Sequence, residues 1–300
     1  MDITAPLSSK RSDDLRVARK PRSWWRDPIA HVLRRPLGLI GAIIIVLLIL
    51  AAIFAPWLAP FNPTAQDAQR LLPPARPYWL GTDEFGRDIL SRILYGSRVS
   101  LQVGGIAVGI AMLIGSTIGI VSGFFMGAVD AAVQRIVDIM LAFPAVILII
   151  AISGVLGPST MTAMIAIGIV YAPNFARIVR GPTIVVMQNQ YLEAGRVVGA
   201  GSGRLMARYV LPNVAAPIIV QSTLALSTAI LAEATLSFLG LGTQPPDPSW
   251  GTMLGTGRKY MESAPHVAIF PGLAIAITVL GFNLLGDSLR DALDPSLRDA

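Results

Sequence analysis

Stretches of about 20 apolar residues with almost no charge recur along this chain, and they constrain its fold more than any other feature. A helix climbs 1.5 Å per residue, so about 20 such residues cross the roughly 30 Å of hydrocarbon in a bilayer. Six segments have that length: Leu37 to Leu58, then about Leu101 to Ser122, Gln134 to Ser153, Thr160 to Val179, Ala216 to Leu239 and His266 to Leu285. Backbone amides inside lipid must be satisfied within their own segment, so all six are expected as helices, giving an all-α integral membrane protein with six transmembrane helices. Composition agrees. The 300 residues are 53% apolar and 14% charged, against about 25% charged in an average soluble domain. Cysteine is absent, which excludes disulfides and thiolate chemistry, and the two histidines, His31 and His266, lie far apart.

Lysine and arginine set the orientation, because cytoplasmic flanks hold the excess. Nine lie in residues 1–36, and placing that head inside puts 17 of the 24 on the cytoplasmic side. Both termini are then cytoplasmic. Five of the remaining seven sit between Ala59 and Ser100, offset by Asp67, Asp83, Glu84 and Asp88. The chain divides into a basic head (1–36) with an interfacial helix around Trp24 and Trp25, a first span (37–58), and an external stretch with an amphipathic elbow (59–100). A five-helix core (101–286) contains a cytoplasmic loop (181–215), and a cytoplasmic tail follows (287–300). The first span is too long, and its basic lead-in too extended, for a signal peptide.

Within the spans, Gly115, Gly119, Gly123 and Gly127 recur at four-residue spacing, with Gly105 and Gly109 before them. Small residues at that spacing let helices approach closely, within this subunit or against a second one. Asp138 stands one turn after Arg135, so a local ion pair competes with a role in transport. Glu233 lies deep in the fifth span and Asn283 in the sixth; polar groups at that depth face a partner or a wet cavity, in a structural or a gating role. Pro144 and Pro173 permit kinks. Before the second span, Asp83 can cap a surface helix that sets Ile89, Leu90, Ile93 and Leu94 against a polar face of Arg87, Asp88 and Ser91.

The loop at 181–215 reads as two amphipathic helices meeting at a glycine corner. Thr183 can cap the first, which Gly199 ends; Ser202 can cap the second, which Pro212 closes. Val197, Val198, Leu205 and Met206 are expected to be exposed and to seek a partner.

Glu193-Ala194-Gly195, Gly199 and the run Tyr209-Val210-Leu211-Pro212 resemble the EAA motif of binding-protein-dependent ABC importer permeases, with Gly195 in place of the second alanine and Tyr209 in place of isoleucine. LGTDEFGRDILSR (80–92), LSFLGLG (236–242) and FNLLGD (282–287) resemble the C-type subunits of dipeptide, oligopeptide and nickel importers. The resemblance implies a type I ABC importer permease fold in a bacterial cytoplasmic (inner) membrane. It also implies a coupling role for Glu193, Ala194, Gly195, Gly199, Leu211 and Pro212. The implied partners are a B-type permease in a heterodimer, two ATPase subunits that hold ATP and Mg, an external solute-binding protein and a peptide substrate. This chain is expected to hold no cofactor or metal and to carry out no catalysis. No G-x-x-x-x-G-K-[ST] phosphate loop occurs in it, so ATP hydrolysis falls to another chain. Glu233, Asp138 and Asn283 stand as pathway or gating candidates. Importers of nickel complexes, glutathione or sugars share the pattern. An ion-driven carrier or an intramembrane enzyme would need more intramembrane carboxylates, inverted repeats or a nucleophile with its base. The pI of about 10.1 belongs to the cytoplasmic flanks and the lipid surface they meet, not to nucleic-acid binding.

Overall fold

A computed structural model describes residues 32–293; the interfacial helix expected around Trp24 and Trp25 and the last residues of the tail lie outside the described residues. Among the described residues all regular elements are helical. Helix α1 (Pro36–Leu58) is the first span. Helix α2 (Ile89–Phe125) merges the expected surface helix and the second span into one element of 37 residues. Asp88, not Asp83, is its cap: the Asp88 carboxylate accepts from the Ser91 amide at 2.8 Å and the Ser91 hydroxyl at 2.6 Å.

The third span is broken. Helices α3 (Gly127–Ala142) and α4 (Ala145–Leu156) meet at 89° across Phe143 and Pro144. Pro144 has no N–H and excludes Phe143 from helical geometry, so the chain turns there. Among the described residues five helices are long and apolar enough to cross a membrane, and the bent pair, taken as one span, makes a sixth.

Helix α5 (Thr160–Met187) runs through both Pro173 and Pro182, overturning the expected new start at Thr183, whose hydroxyl instead donates to the Val179 carbonyl at 2.8 Å. Helix α6 (Gln190–Val197) and the short α7 (Ser202–Leu205) follow, then a π-helical turn (Met206–Val210) and α8 (Leu211–Phe238). Gly201 rather than Ser202 precedes α7, and Pro212 does not end the second loop helix; the fifth span continues from it. The π turn winds more widely than an α turn, leaving room ahead of a residue with no N–H. Helix α9 (Trp250–Gly257) is short, and α10 (His266–Leu293) extends two turns beyond the expected end of the last span.

Three successive turns of α2 lie directly on α5. A Cβ at Gly115 would meet the Ala172 carbonyl at 2.2 Å, one at Gly119 the Ala176 carbonyl at 2.5 Å, and one at Gly123 the Thr183 side chain at 2.8 Å. Small residues every fourth position thus build the interface inside this chain. Gly105, Gly109 and Gly127 meet nothing within 4 Å. The main core gathers Val103, Ala107, Ala111, Ile167, Phe175 and Leu236 from α2, α5 and α8. Across the bundle, Gly41 of α1 abuts α10 at Leu285, and an Arg35–Asp291 ion pair joins the start of α1 to the end of α10.

The stretch before α2 is a folded knot, not a solvated surface. Asp83 is 3% exposed. Its carboxylate accepts from the amides of Phe85 and Arg87, each at 2.9 Å, and from Arg87 Nε at 2.6 Å. Arg92 donates to the Pro63 carbonyl at 3.0 Å. Arg87, Asp88 and Ser91, expected on a polar surface, are buried in this network.

Candidate functional site

The loop between α5 and α8 folds into an elbow with an apolar base. Leu192 of α6 and Leu205 of α7 are each 1% exposed, packed with Phe124, Val179 and Val186 at the ends of α2 and α5. Burying each leucine stabilises the elbow by about 1.5–3 kcal/mol. Leu205 is therefore core, against the expectation of exposure, and Met206 is half-buried. Gly195 is where the two helices touch: a Cβ there would come to 2.9 Å from Leu205 Cδ2. Arg196 stacks over the Phe124 ring at 5.6 Å, and Tyr191 and Tyr209 pair at 6.1 Å between centroids, bracing α6 against α2 and the π turn.

Gly199 ends α6. Its φ is +85°, its amide donates to the Arg196 carbonyl at 2.9 Å, and the Ala200 amide donates to the Gly195 carbonyl at 3.0 Å. That pair of bonds is the Schellman arrangement, in which the last helical carbonyls are satisfied by a residue in left-handed geometry. The corner projects Val197 and Val198, 88% and 87% exposed, at the tip. Beside them lies a cavity of about 490 Å³ lined by Ala194, Gly195, Val198, Gly199, Arg204 and Tyr209, among others. Glu193 is exposed on the outer side of α6, as are Leu211 and Pro212 at the foot of α8, outside that cavity. Elbow, start of α1 and end of α10 share one side of the bundle: a second cavity joins the elbow ends of α5 and α8 to Arg290 and Leu293, and Asp291 holds Arg35.

The other three candidates stand apart from the elbow and from one another. Glu233 is fully buried; its Oε1 accepts from Ser237 at 2.7 Å and Ser249 at 3.0 Å, joining α8 to the segment before α9. Trp250, the next residue, donates from Nε1 to the Ile93 carbonyl at 3.0 Å and seats on Gly96, locking α9 to α2. Asn283 accepts from the Ser227 hydroxyl at 2.7 Å across the α8–α10 contact. Asp138 pairs with Arg177 of α5, not with Arg135. One ion pair was missed altogether: Arg180 grips Asp130 through two bonds of 2.6 and 2.5 Å, and Ser122 also bonds Asp130. Together the two pairs fasten the bent helix α3 to α5. Opposite charges placed at the same ends of neighbouring spans were the only signal for them.

Residues 115–299 match the family described as binding-protein-dependent transport system inner membrane component, and residues 23–74 match the N-terminal transmembrane domain of oligopeptide transport permease C. The chain is 47% identical over 297 residues to the dipeptide transport system permease protein DppC of Alkalihalophilus pseudofirmus, covering 99% of this chain and 97% of that one. It is 47% identical over 261 residues to the probable D,D-dipeptide transport system permease protein DdpC of Escherichia coli K12, covering 87% and 88%. The glutathione transport system permease protein GsiD of Pectobacterium atrosepticum is 43% identical over 279 residues, covering 92% and 93%. Among solved structures, an inward-facing conformation of the MetNI methionine ABC transporter superposes with a TM-score of 0.56 over 69% of this chain and 98% of that one, at 19% identity, which establishes the shared fold.

Proposed function

The chain belongs to the binding-protein-dependent transport system inner membrane component family, and on that premise we propose that it is the C-type permease subunit of an ABC importer for dipeptides or short oligopeptides. It is an inner-membrane transport subunit, not an enzyme. In this reading a B-type permease completes the translocation path, two ATPase subunits bind and hydrolyse ATP with Mg, and a solute-binding protein delivers peptide from outside. The elbow, both termini and the cavity beside Arg290 then face the cytoplasm.

One observation carries the assignment of the elbow as the coupling element: a rigid, internally satisfied corner that nonetheless holds two adjacent valines in solvent. Two apolar side chains at a tip favour an occupied pocket in another chain. Glu193, Ala194, Gly195 and Gly199 shape that tip, and Leu211 and Pro212 set where its second arm enters the bundle. Closure of the ATPase pair would draw the elbow with it and turn the bundle from inward-open to outward-open, the bias coming from tighter ATP binding to one state.

The test is peptide uptake into membrane vesicles carrying the full set of subunits. Uptake must require ATP, the ATPases and the binding protein, and a cysteine at Val197 must crosslink to an ATPase subunit. Uptake driven by an ion gradient alone, or crosslinks only to external proteins, would refute the reading. Relatives named for glutathione transport motivate a second substrate, and competition between a dipeptide and glutathione in the same vesicles separates the two.

A further inference from the structure

Helices α5 and α8 each carry polar side chains on one face in the middle of the bundle. Tyr171 and Asn174 share a face of α5 with the apolar Ile178 beyond them, and Gln221 and Thr228 share one of α8; 171 to 178 and 221 to 228 are each two turns. The Tyr171 hydroxyl approaches the Thr228 carbonyl at 3.5 Å, which places the two faces side by side. Two turns along, toward the elbow side, the same faces open into a cavity of about 610 Å³ lined by Ile178, Pro182, Gln221, Leu224 and Arg290, among others. That volume falls inside the roughly 300–1,000 Å³ typical of ligand pockets.

Asn174 is the fifteenth of the 28 residues of α5, near the middle of the span. Among the described residues neither its carboxamide nor that of Gln221 has a hydrogen-bond partner, and Arg290 on the cavity wall has no ion-pair partner. Leaving carboxamides against hydrocarbon is costly, so this face meets water or a polar guest. Asn283 differs in being bonded to Ser227, and Glu233 in being closed off from any cavity inside the chain, its Oε1 bonded and its buried Oε2 without a partner among the described residues.

We propose that this face is the wall that the transported peptide touches, with the Asn174 and Gln221 carboxamides bonding its backbone amides and Arg290 attracting its carboxylate at the cytoplasmic mouth. A carboxamide offers one acceptor and two donors, the complement of a peptide group, and bonds backbone without regard to side-chain identity. The Tyr171–Thr228 contact narrows the wall on the far side. This assignment rests on the importer reading above.

The absence of cysteine makes the natural chain its own background for thiol labelling. Asn174→Cys, Gln221→Cys and Ile178→Cys are compared with Leu47→Cys on the exposed side of α1, in the assembled transporter, using a membrane-impermeant sulfonated thiosulfonate. Ile178→Cys removes no polar contact and serves where an amide variant does not assemble. The wall positions should react at least about tenfold faster than Leu47→Cys, because thiolate forms in water and not in lipid, and saturating dipeptide should slow them. Gln221→Ala should also raise the uptake KM about two- to tenfold, the loss of one net hydrogen bond. Labelling no faster than at Leu47→Cys, or unchanged by dipeptide, would overturn the wall. Failure of the unmodified transporter to take up any peptide would instead overturn the importer reading.

Discussion

Gly199 offers the cleanest test of the elbow, because its constraint is purely of backbone geometry. Its φ of +85° is one that L side chains rarely adopt, and a Cβ there would meet nothing within 4 Å. A substitution therefore strains the chain without colliding with it. Placing an ordinary L residue in left-handed geometry costs roughly 1–2 kcal/mol, so Gly199→Ala should lower the population of the correctly bent elbow about 5- to 30-fold. Gly199→Val, β-branched, should do worse. Gly199→Asn should retain most function, since asparagine tolerates this region despite being larger than alanine. The assay is ATP-dependent peptide uptake in proteoliposomes, with binding-protein-stimulated ATP hydrolysis measured alongside. The expected order is Gly, Asn, Ala, Val, with the amount of inserted protein unchanged. An order that follows side-chain volume, with Asn below Ala, would show that crowding against a partner and not the bend is what matters; equal activity across the series would remove the elbow from the mechanism.

Val197→Ser with Val198→Ser should leave thermal stability of the purified chain within about 0.5 kcal/mol, as both side chains are solvent-exposed, yet abolish ATP-driven uptake; retained uptake would contradict docking through the tip. Asp130→Asn should destabilise the chain by about 1–2 kcal/mol in a thermal melt, because its partner Arg180 is partly solvated, and exchanging the two charges should recover part of that loss. Trp250→Phe should cost about 0.5–1.5 kcal/mol by removing the indole bond to the Ile93 carbonyl, which keeps its helical partner, and Trp250→Ala about 3–5 kcal/mol by also emptying a packed site. Glu233→Gln should be better tolerated than Glu233→Leu, measured by yield of folded protein, since only the former still accepts from Ser237 and Ser249.

The spans were legible because a bilayer imposes a length, and runs such as Leu37 to Leu58 satisfy it without ambiguity. The elbow corner was legible too: a glycine after a short amphipathic stretch has few other uses. What failed was punctuation. Thr183 and Pro212 read as a start and a stop, but one lies within α5, just after Pro182, and the other in the first turn of α8. Proline costs a helix one hydrogen bond, and long packed helices absorb that loss. Pro144, preceded by Phe143 at the surface, does break its helix. Partners of charge were equally hidden: Asp138 has Arg135 one turn away and pairs instead with Arg177, 39 residues on. Neighbourhood in sequence cannot rank two arginines when the fold brings the distant one across an interface. Leu205 reads as a surface residue for the same reason, since its partners Phe124, Val179 and Leu192 are brought to it only by the fold.

Those corrected boundaries bear directly on how a push at the elbow could reach the far side of the membrane. From Ser202 to Phe238 the chain is one apolar helical stretch of 37 residues, about 55 Å at 1.5 Å per residue. Its near end carries Leu205 in the base of the elbow, and its far end carries Glu233 and Ser237, bonded to Ser249 and the segment before α9. Helix α5 leaves the other arm of the elbow and is seated on α2 through Gly115, Gly119 and Gly123, too closely for the two to slide independently. Had Pro182 and Pro212 ended their helices, the elbow could swing without moving the wall that bears Asn174 and Gln221. With both helices continuous, the π-helical turn at Met206–Val210 is the irregular step between elbow and fifth span. A π turn interrupts the regular α ladder and often marks a functional site, so under the proposed coupling it is where the register between the elbow and α8 would change. Under the proposed coupling, the elbow would act through a lever whose irregular step is the π turn and whose far anchor is Glu233, so the bundle would answer by tilting instead of bending.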